Sequence, residues 1–384
     1  MNKIICCLVL WMCLDNLHAQ TVTGYVYEDL NKNGIKENNE PGIKGVAVSD
    51  QVNVVLTDET GRYSIGNKGY GIIFISMPGG YSAKTFWQSA TASAINFALT
   101  KKSIPSSFQF IHASDTHISE ASINRMDKLR AITDSVNPDL VLITGDLVKD
   151  ALRVPEKEAT HLYQLFAAES GKIKSQLCLV PGNHEIFGIE RQLSLVSSKN
   201  PLYGRNMYHH FFGPDYYSFN YGGIHFIALN SLEFDDLWYY GRIDSTQIGW
   251  LKKDLATIDA SMPVVTFQHV PFFSGGMTME NFSDEGPGRS LEREHGVMQY
   301  RHVVSNAGEV MSILKPYNFV LALGGHYHFR QLFSVEGINT RFEQAAAVVA
   351  PTETDYGTLP SGVTLYKVAN GKIDAGQFIP LDKK

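Results

Sequence analysis

The sequence predicts an α/β domain whose sheets are covered by helices, preceded by a small all-β domain. Three observations carry this. Residues 21 to about 100 show strand-like alternation with no helical periodicity, while from Phe108 onward short apolar runs alternate with helical segments. The length of 384 residues also exceeds the usual size of one domain.

Taken in order, residues 1–19 read as a targeting segment. Lys3 supplies the positive charge, residues 4–14 an apolar run, and Leu17-His18-Ala19 a cleavage site before Gln20. The run is too short to span a bilayer, so the mature chain is expected to be exported, to the periplasm or beyond the cell, with no transmembrane helix. Lipoprotein processing would want a small residue before Cys13, where Met12 stands. Cleavage removes Cys6, Cys7 and Cys13, so Cys178 alone remains and no intramolecular disulfide can form. The balance of 44% hydrophobic and 19% charged residues is that of an ordinary globular protein. A net charge of −6 with no basic stripe argues against a dedicated nucleic-acid binder.

Residues 20–100 are read as a β-sandwich. Residues 21–27, 46–48, 52–56, 62–65 and 69–76 are β-rich, with a turn at Asp58-Glu59-Thr60-Gly61. Residues 99–107 form the expected linker. Within this part, Asp29-Leu30-Asn31-Lys32-Asn33-Gly34 with Glu40 matches the twelve-residue calcium loop pattern. Asp29, Asn31 and Asn33 would offer side-chain oxygens, Ile35 a carbonyl and Glu40 a bidentate carboxylate. Strand-like residues before it and Pro41-Gly42 after it are wrong for an EF-hand. The loop resembles calcium loops in the β-sandwich repeats of secreted bacterial proteins, and the competing reading is an Asx turn with no ion.

From residue 107 to 384 a second domain is expected. Strands are predicted at residues 108–113, 139–144, 176–180, 224–229, 263–268 and 319–323, with helices near 120–136, 156–170 and 244–260, the last capped by Asp244-Ser245. Polar motifs fall just past strand ends, where chemistry collects in such sheets. They are Asp115-Thr116-His117, Gly145-Asp146, Gly182-Asn183-His184-Glu185, Gln268-His269 and Gly325-His326-Tyr327-His328. All carry nitrogen or oxygen donors and none a thiolate, which suits a pair of divalent ions such as Mn, Fe or Zn. Two such ions about 3.5–4 Å apart can clamp a phosphoryl group and bring a bound water to hydroxide near neutral pH. His112, His161, His225 and His302 are read as satisfied core histidines.

This order of five motifs resembles the calcineurin-like metallophosphoesterase superfamily over roughly residues 107–350. The resemblance implies a two-sheet α/β sandwich with helices on its outer faces. It also implies roles: Asp115, His117 and His328 on one ion, Asn183, His269 and His326 on the other, and Asp146 bridging. His184 would approach the phosphate without ligating. Lys149 stands where purple acid phosphatases place a ligating tyrosine, so a tyrosinate–iron bond is not expected. Ala151 follows Asp150 where protein Ser/Thr phosphatases carry a phosphate-holding arginine. Trp238-Tyr239-Tyr240, Phe272-Phe273 and residues 275–300 follow site-bearing strands and suit either an apolar rim or ordinary packing. The implied function is hydrolysis of a small phosphate mono- or diester. The rivals are a nucleotide-directed phosphodiesterase of the same fold, and a non-catalytic, calcium-dependent surface binding protein.

Overall fold

The computed structural model describes residues 21–278, 290–292, 298–354 and 356–382. The targeting segment read at residues 1–19 and much of the 275–300 stretch lie outside the described residues.

Residues 21–101 form two four-stranded sheets. One runs Arg62–Gly66, Thr21–Glu28, Phe97–Lys101, Tyr81–Ala83; the other runs Val54–Leu56, Ala47–Ser49, Ile72–Ile75, Trp87–Ser89. Alternation fills the space between them, with Val22, Val26, Tyr63, Ile65, Ile73, Ile75 and Phe97 buried together.

The rest is a four-layer α/β sandwich. The first sheet is ordered Gln176–Val180, Leu140–Thr144, Ser107–Ala113, Gly362–Ala369, Lys372–Ile373, with Gln377–Pro380 also paired to the fourth. The second is ordered Tyr217–Tyr221, Ile224–Ala228, Pro263–Phe267, Asn318–Gly324, Arg341–Gln344, Gln331–Phe333. Gln176–Val180, Leu140–Thr144 and Ser107–Ala113 run parallel in the first sheet, where Gly362–Ala369 joins antiparallel, and the second is parallel from Ile224–Ala228 to Arg341–Gln344. Central strands are buried on both faces, which is why they read as unbroken apolar runs. In the first sheet Ile111, Ala113, Val141 and Ile143 pack on the helices Ile123–Val136 and Glu156–Ser170. Phe110, Leu140 and Leu142 face the other way, into the core shared with the second sheet. That core continues through Ile248, Trp250 and Leu251 of the helix Ser245–Leu255, and through Val310 and Leu314 of Ala307–Leu314.

Two helices differ in extent from the sequence reading. The first begins as the 3-10 turn Glu120–Ser122 and stops at Val136, because Asn137 turns left-handed ahead of Pro138. The last is capped by the Asp244 carboxylate, which accepts from Gln247 N at 2.9 Å, but ends at Leu255. Among the described residues no helix is long and apolar enough to cross a membrane.

The two parts share a contact surface. Phe74 of the N-terminal sandwich lies in the main core, 6.3 Å from Trp250. The Gln51 amide donates to Asp215 Oδ1 at 2.8 Å, and Tyr216 Oη donates to the Gln51 carbonyl at 2.5 Å. Ser76 and Ser218 hydroxyls meet at 2.8 Å. Trp87 covers Gly213 so closely that a Cβ there would come within 2.3 Å of the indole.

Candidate metal centre

Parallel strands bring their C-terminal ends to one edge, and the five motifs gather there. The turns are tight. Asp115, His117, Asp146, His326 and His328 all have left-handed backbone, with φ between 39° and 76°. Neighbouring chain holds these turns: Asp115 N donates to the Gly145 carbonyl at 3.0 Å, and His117 N to the Asp146 carbonyl at 2.9 Å.

The donor atoms fall into two groups that share one carboxylate. Asp115, His117, Asp146 and His328 each offer an atom within 4.8 Å of the others, and so do Asp146, His269 and His326. His328 Nε2 lies 3.1 Å from Asp115 Oδ1, and His117 Nε2 3.5 Å from Asp146 Oδ2. On the other side His269 Nε2 is 3.3 Å from Asp146 Oδ2, 3.1 Å from Asn183 Oδ1 and 3.0 Å from His326 Nδ1. All seven residues predicted as ligands therefore converge. His184 stands beside them, its Nε2 3.9 Å from Asp146 Oδ2, oriented by an Nδ1 hydrogen bond of 2.5 Å to the Lys149 carbonyl.

The donors fit divalent cations. Asp115 Oδ1 is buried and has no assigned hydrogen-bond partner among the described residues, with His328 Nε2 3.1 Å away. His269 Nδ1 donates to the Thr144 carbonyl at 2.7 Å, which fixes the tautomer that leaves Nε2 facing inward. Electrostatics agree. Burial opposes ionisation of Asp115 and Asp146, yet neighbouring His328 and His269 hold both carboxyls well below the usual range. Burial pushes His117 down to about 4 and drives His326 down as well, with charged His269 adding to the latter. Burial works against protonation of His269, but Asp146, Asp115 and the Thr144 carbonyl together raise it to about 9; burial works against His328 too, and Asp115 with Asp146 shifts it upward.

Two residues in this neighbourhood have tasks that the sequence did not show. Glu185 is buried, its carboxylate accepting from Val148 N at 2.9 Å and Gly182 N at 2.6 Å, so it ties two motif turns together. His302 is not a core histidine. Its ring stacks on His326 at 4.9 Å, with Nδ1 2.6 Å from His326 Nε2. No spacing signal links it to the motifs. His161 is also misread, being exposed and paired with Glu120 at 2.9 Å. His112 and His225 are core residues, bonded to Thr144 and to Asp254 with Asn220.

Away from this centre, Asp29, Asn31, Asn33, Ile35 and Glu40 come together in one loop. Asp29 accepts from Asn33 N and Gly34 N, the Asn33 Oδ1 accepts from Ile35 N, and Glu40 accepts from Leu30 N and Glu37 N. Glu37, unremarked in the sequence reading, accepts from the amides of both Asn31 and Asn33.

The chain is similar to several known proteins. A Fibrobacter succinogenes protein described as a probable cyclic nucleotide phosphodiesterase is 24% identical over 199 residues, 52% of this chain and 60% of that one. The serine-aspartate repeat-containing protein F of Staphylococcus epidermidis is 38% identical over 73 residues, 17% of this chain and 4% of that one. The chain thus spans less than two thirds of either relative. A dimetal phosphatase structure from Danio rerio aligns with a TM-score of 0.48 at 12% identity, covering 72% of this chain and 99% of that one. Residues 108–330 match the calcineurin-like phosphoesterase family, and residues 30–113 match the N-terminal region described for such phosphoesterases. With more than half its length in that match, the chain belongs to the calcineurin-like phosphoesterase family.

Proposed function

We propose that this chain hydrolyses a small phosphate mono- or diester with a pair of divalent ions bound among its strand-end motifs. The observation that carries the reading is the Asp146 carboxylate, common to both donor groups. Asp115, His117 and His328 would hold one ion, Asn183, His269 and His326 the other, with Asp146 bridging; Mn, Fe and Zn suit these donors. When bound, such ions stabilise phosphoryl charge and lower the pKa of a coordinated water. The chain's own contribution is positional. Lys149 offers a backbone carbonyl and a lysine rather than a tyrosine ligand, and that carbonyl anchors His184 Nδ1. His184 Nε2 is thereby aimed across Asp146, where an imidazolium proton can pass to the departing ester oxygen.

A nucleotide substrate is the second reading, supported by the similarity to a relative described as a cyclic nucleotide phosphodiesterase. A purely binding role is disfavoured by the complete donor set. The Asp29–Glu40 loop is proposed to take calcium, in which case the melting temperature rises with added calcium. Export is proposed from residues 1–19, and N-terminal sequencing of the natural protein would find Gln20 first.

The main test loads the protein with Mn and assays p-nitrophenyl phosphate and bis(p-nitrophenyl) phosphate. Asp146→Ala is expected to abolish turnover of both; an unchanged rate would refute the enzyme reading.

A further inference from the structure

Beside His326 the chain brings in a cation that the reaction above does not use. The short strand Met298–Tyr300 leads directly into Arg301 and His302, and His302 lies against His326. The Arg301 guanidinium carbon is 4.6 Å from the centroid of Tyr239 and 5.0 Å from that of Trp238. Tyr239 in turn meets His326 edge-on at 6.5 Å. Aromatic faces orient a guanidinium plane and shield it from water without neutralising it.

Among the described residues Arg301 makes no ion pair with an acid, and its buried Nε finds no hydrogen-bond acceptor there. Two other arginines near the site are already paired with acids. Arg153 pairs with Asp150 at 3.0 Å and Glu190 at 2.9 Å, and Arg205 pairs with Glu233 and Asp244. This half-buried, oriented guanidinium at the rim of the site has no counter-charge among the described residues. A phosphoryl group is the anion whose paired oxygens match its fork.

We propose that Arg301, held between Trp238 and Tyr239, grips the non-bridging oxygens of the substrate phosphate as it enters beside His326. It would do there what the arginine missing after Asp150 does in protein phosphatases. The inference rests on the phosphoesterase reading for its substrate, but binding of inorganic phosphate can be measured without turnover.

The test compares the full chain, Mn-loaded, as wild type, Arg301→Gln and Arg301→Lys. Calorimetry reports the Kd for inorganic phosphate, steady-state assays report KM and kcat, and elemental analysis reports metal per chain. Arg301→Gln is expected to weaken phosphate binding and raise KM by roughly 10–100-fold, the scale of a lost charge-assisted bidentate contact. Arg301→Lys should fall between, since charge remains but the fork is lost. Metal content and melting temperature should not move. An unchanged phosphate Kd in Arg301→Gln overturns the proposal, as does a loss of metal that parallels the loss of affinity. A wild type that binds phosphate through Arg301 but turns over no ester would instead sink the enzymatic reading.

Discussion

His269 and Asp146 face each other at 3.3 Å inside the protein, and this pair governs how the site answers to pH. Burial works against a charged His269, but Asp146, Asp115 and the Thr144 carbonyl together raise it to about 9, so below that pH it carries a proton in the ion-free protein. A ligating imidazole must be neutral, so metal uptake has to expel that proton. Affinity for Mn should therefore strengthen as pH climbs toward 9 and weaken as it falls. Titrations at pH 7 in buffers of different ionisation enthalpy should report net proton release that shrinks above pH 9. Glu185 makes a second prediction at this scale. Burial and Asp146 push its carboxyl up to about 8, and each of its oxygens receives a backbone N–H. Glu185→Gln sets an amide donor against one of those N–H groups. It should cost about 1–3 kcal/mol in thermal stability and weaken metal binding roughly 10–100-fold. The ligands were legible because each stands beside a strand end and a turn residue. Glu185 was visible in its motif but its task was not, since Val148 lies 37 positions away.

The turns between strand and ligand carry the precision of the site. A Cβ on Gly182 would meet Asp146 N and Oδ1 at 2.2 Å, and one on Gly145, where φ is +82°, would meet Gly182 N and His269 Nδ1 at 2.7 Å. Both clashes are with backbone or with a ligand, so neither can relax by moving a flexible tip. Gly182→Ala should lose bound metal and activity together while far-ultraviolet circular dichroism stays near wild type, because the strands do not depend on that turn. Strain of about 1–3 kcal/mol per forced residue is the expected scale. The parallel strands could be read from sequence as apolar runs of five or so residues. Gly362–Ala369 could not be placed, although it pairs with Ser107–Ala113 in the middle of the first sheet. Its alternation marks a strand, but nothing local names a partner some 250 residues earlier.

At the scale of the molecule, the linker expected near residues 99–107 suggested two independent parts, and the contact surface between them had no signature in either. Asp215 sits at its centre, accepting from Gln51, with Asn230 at 2.7 Å on its other oxygen. Burial would raise its carboxyl, but His209 and Arg205 hold it well below the usual range. A depressed carboxyl stabilises the fold above the ordinary value near 4 and loses that contribution as pH falls through the depressed one. Asp215→Asn should therefore lower the melting temperature at pH 7 and flatten its decline between about pH 4 and 2. Gln51→Ala removes one donor from a buried carboxylate and should cost about 1–3 kcal/mol, read from denaturant midpoints. The indole of Trp87 resting on Gly213 extends this to descent. A sandwich acquired by recombination would arrive without a matching seat, so positions 51, 87, 213 and 215 should be inherited as a set. Relatives that have shed the sandwich should be released at position 213 to any residue tolerating its backbone.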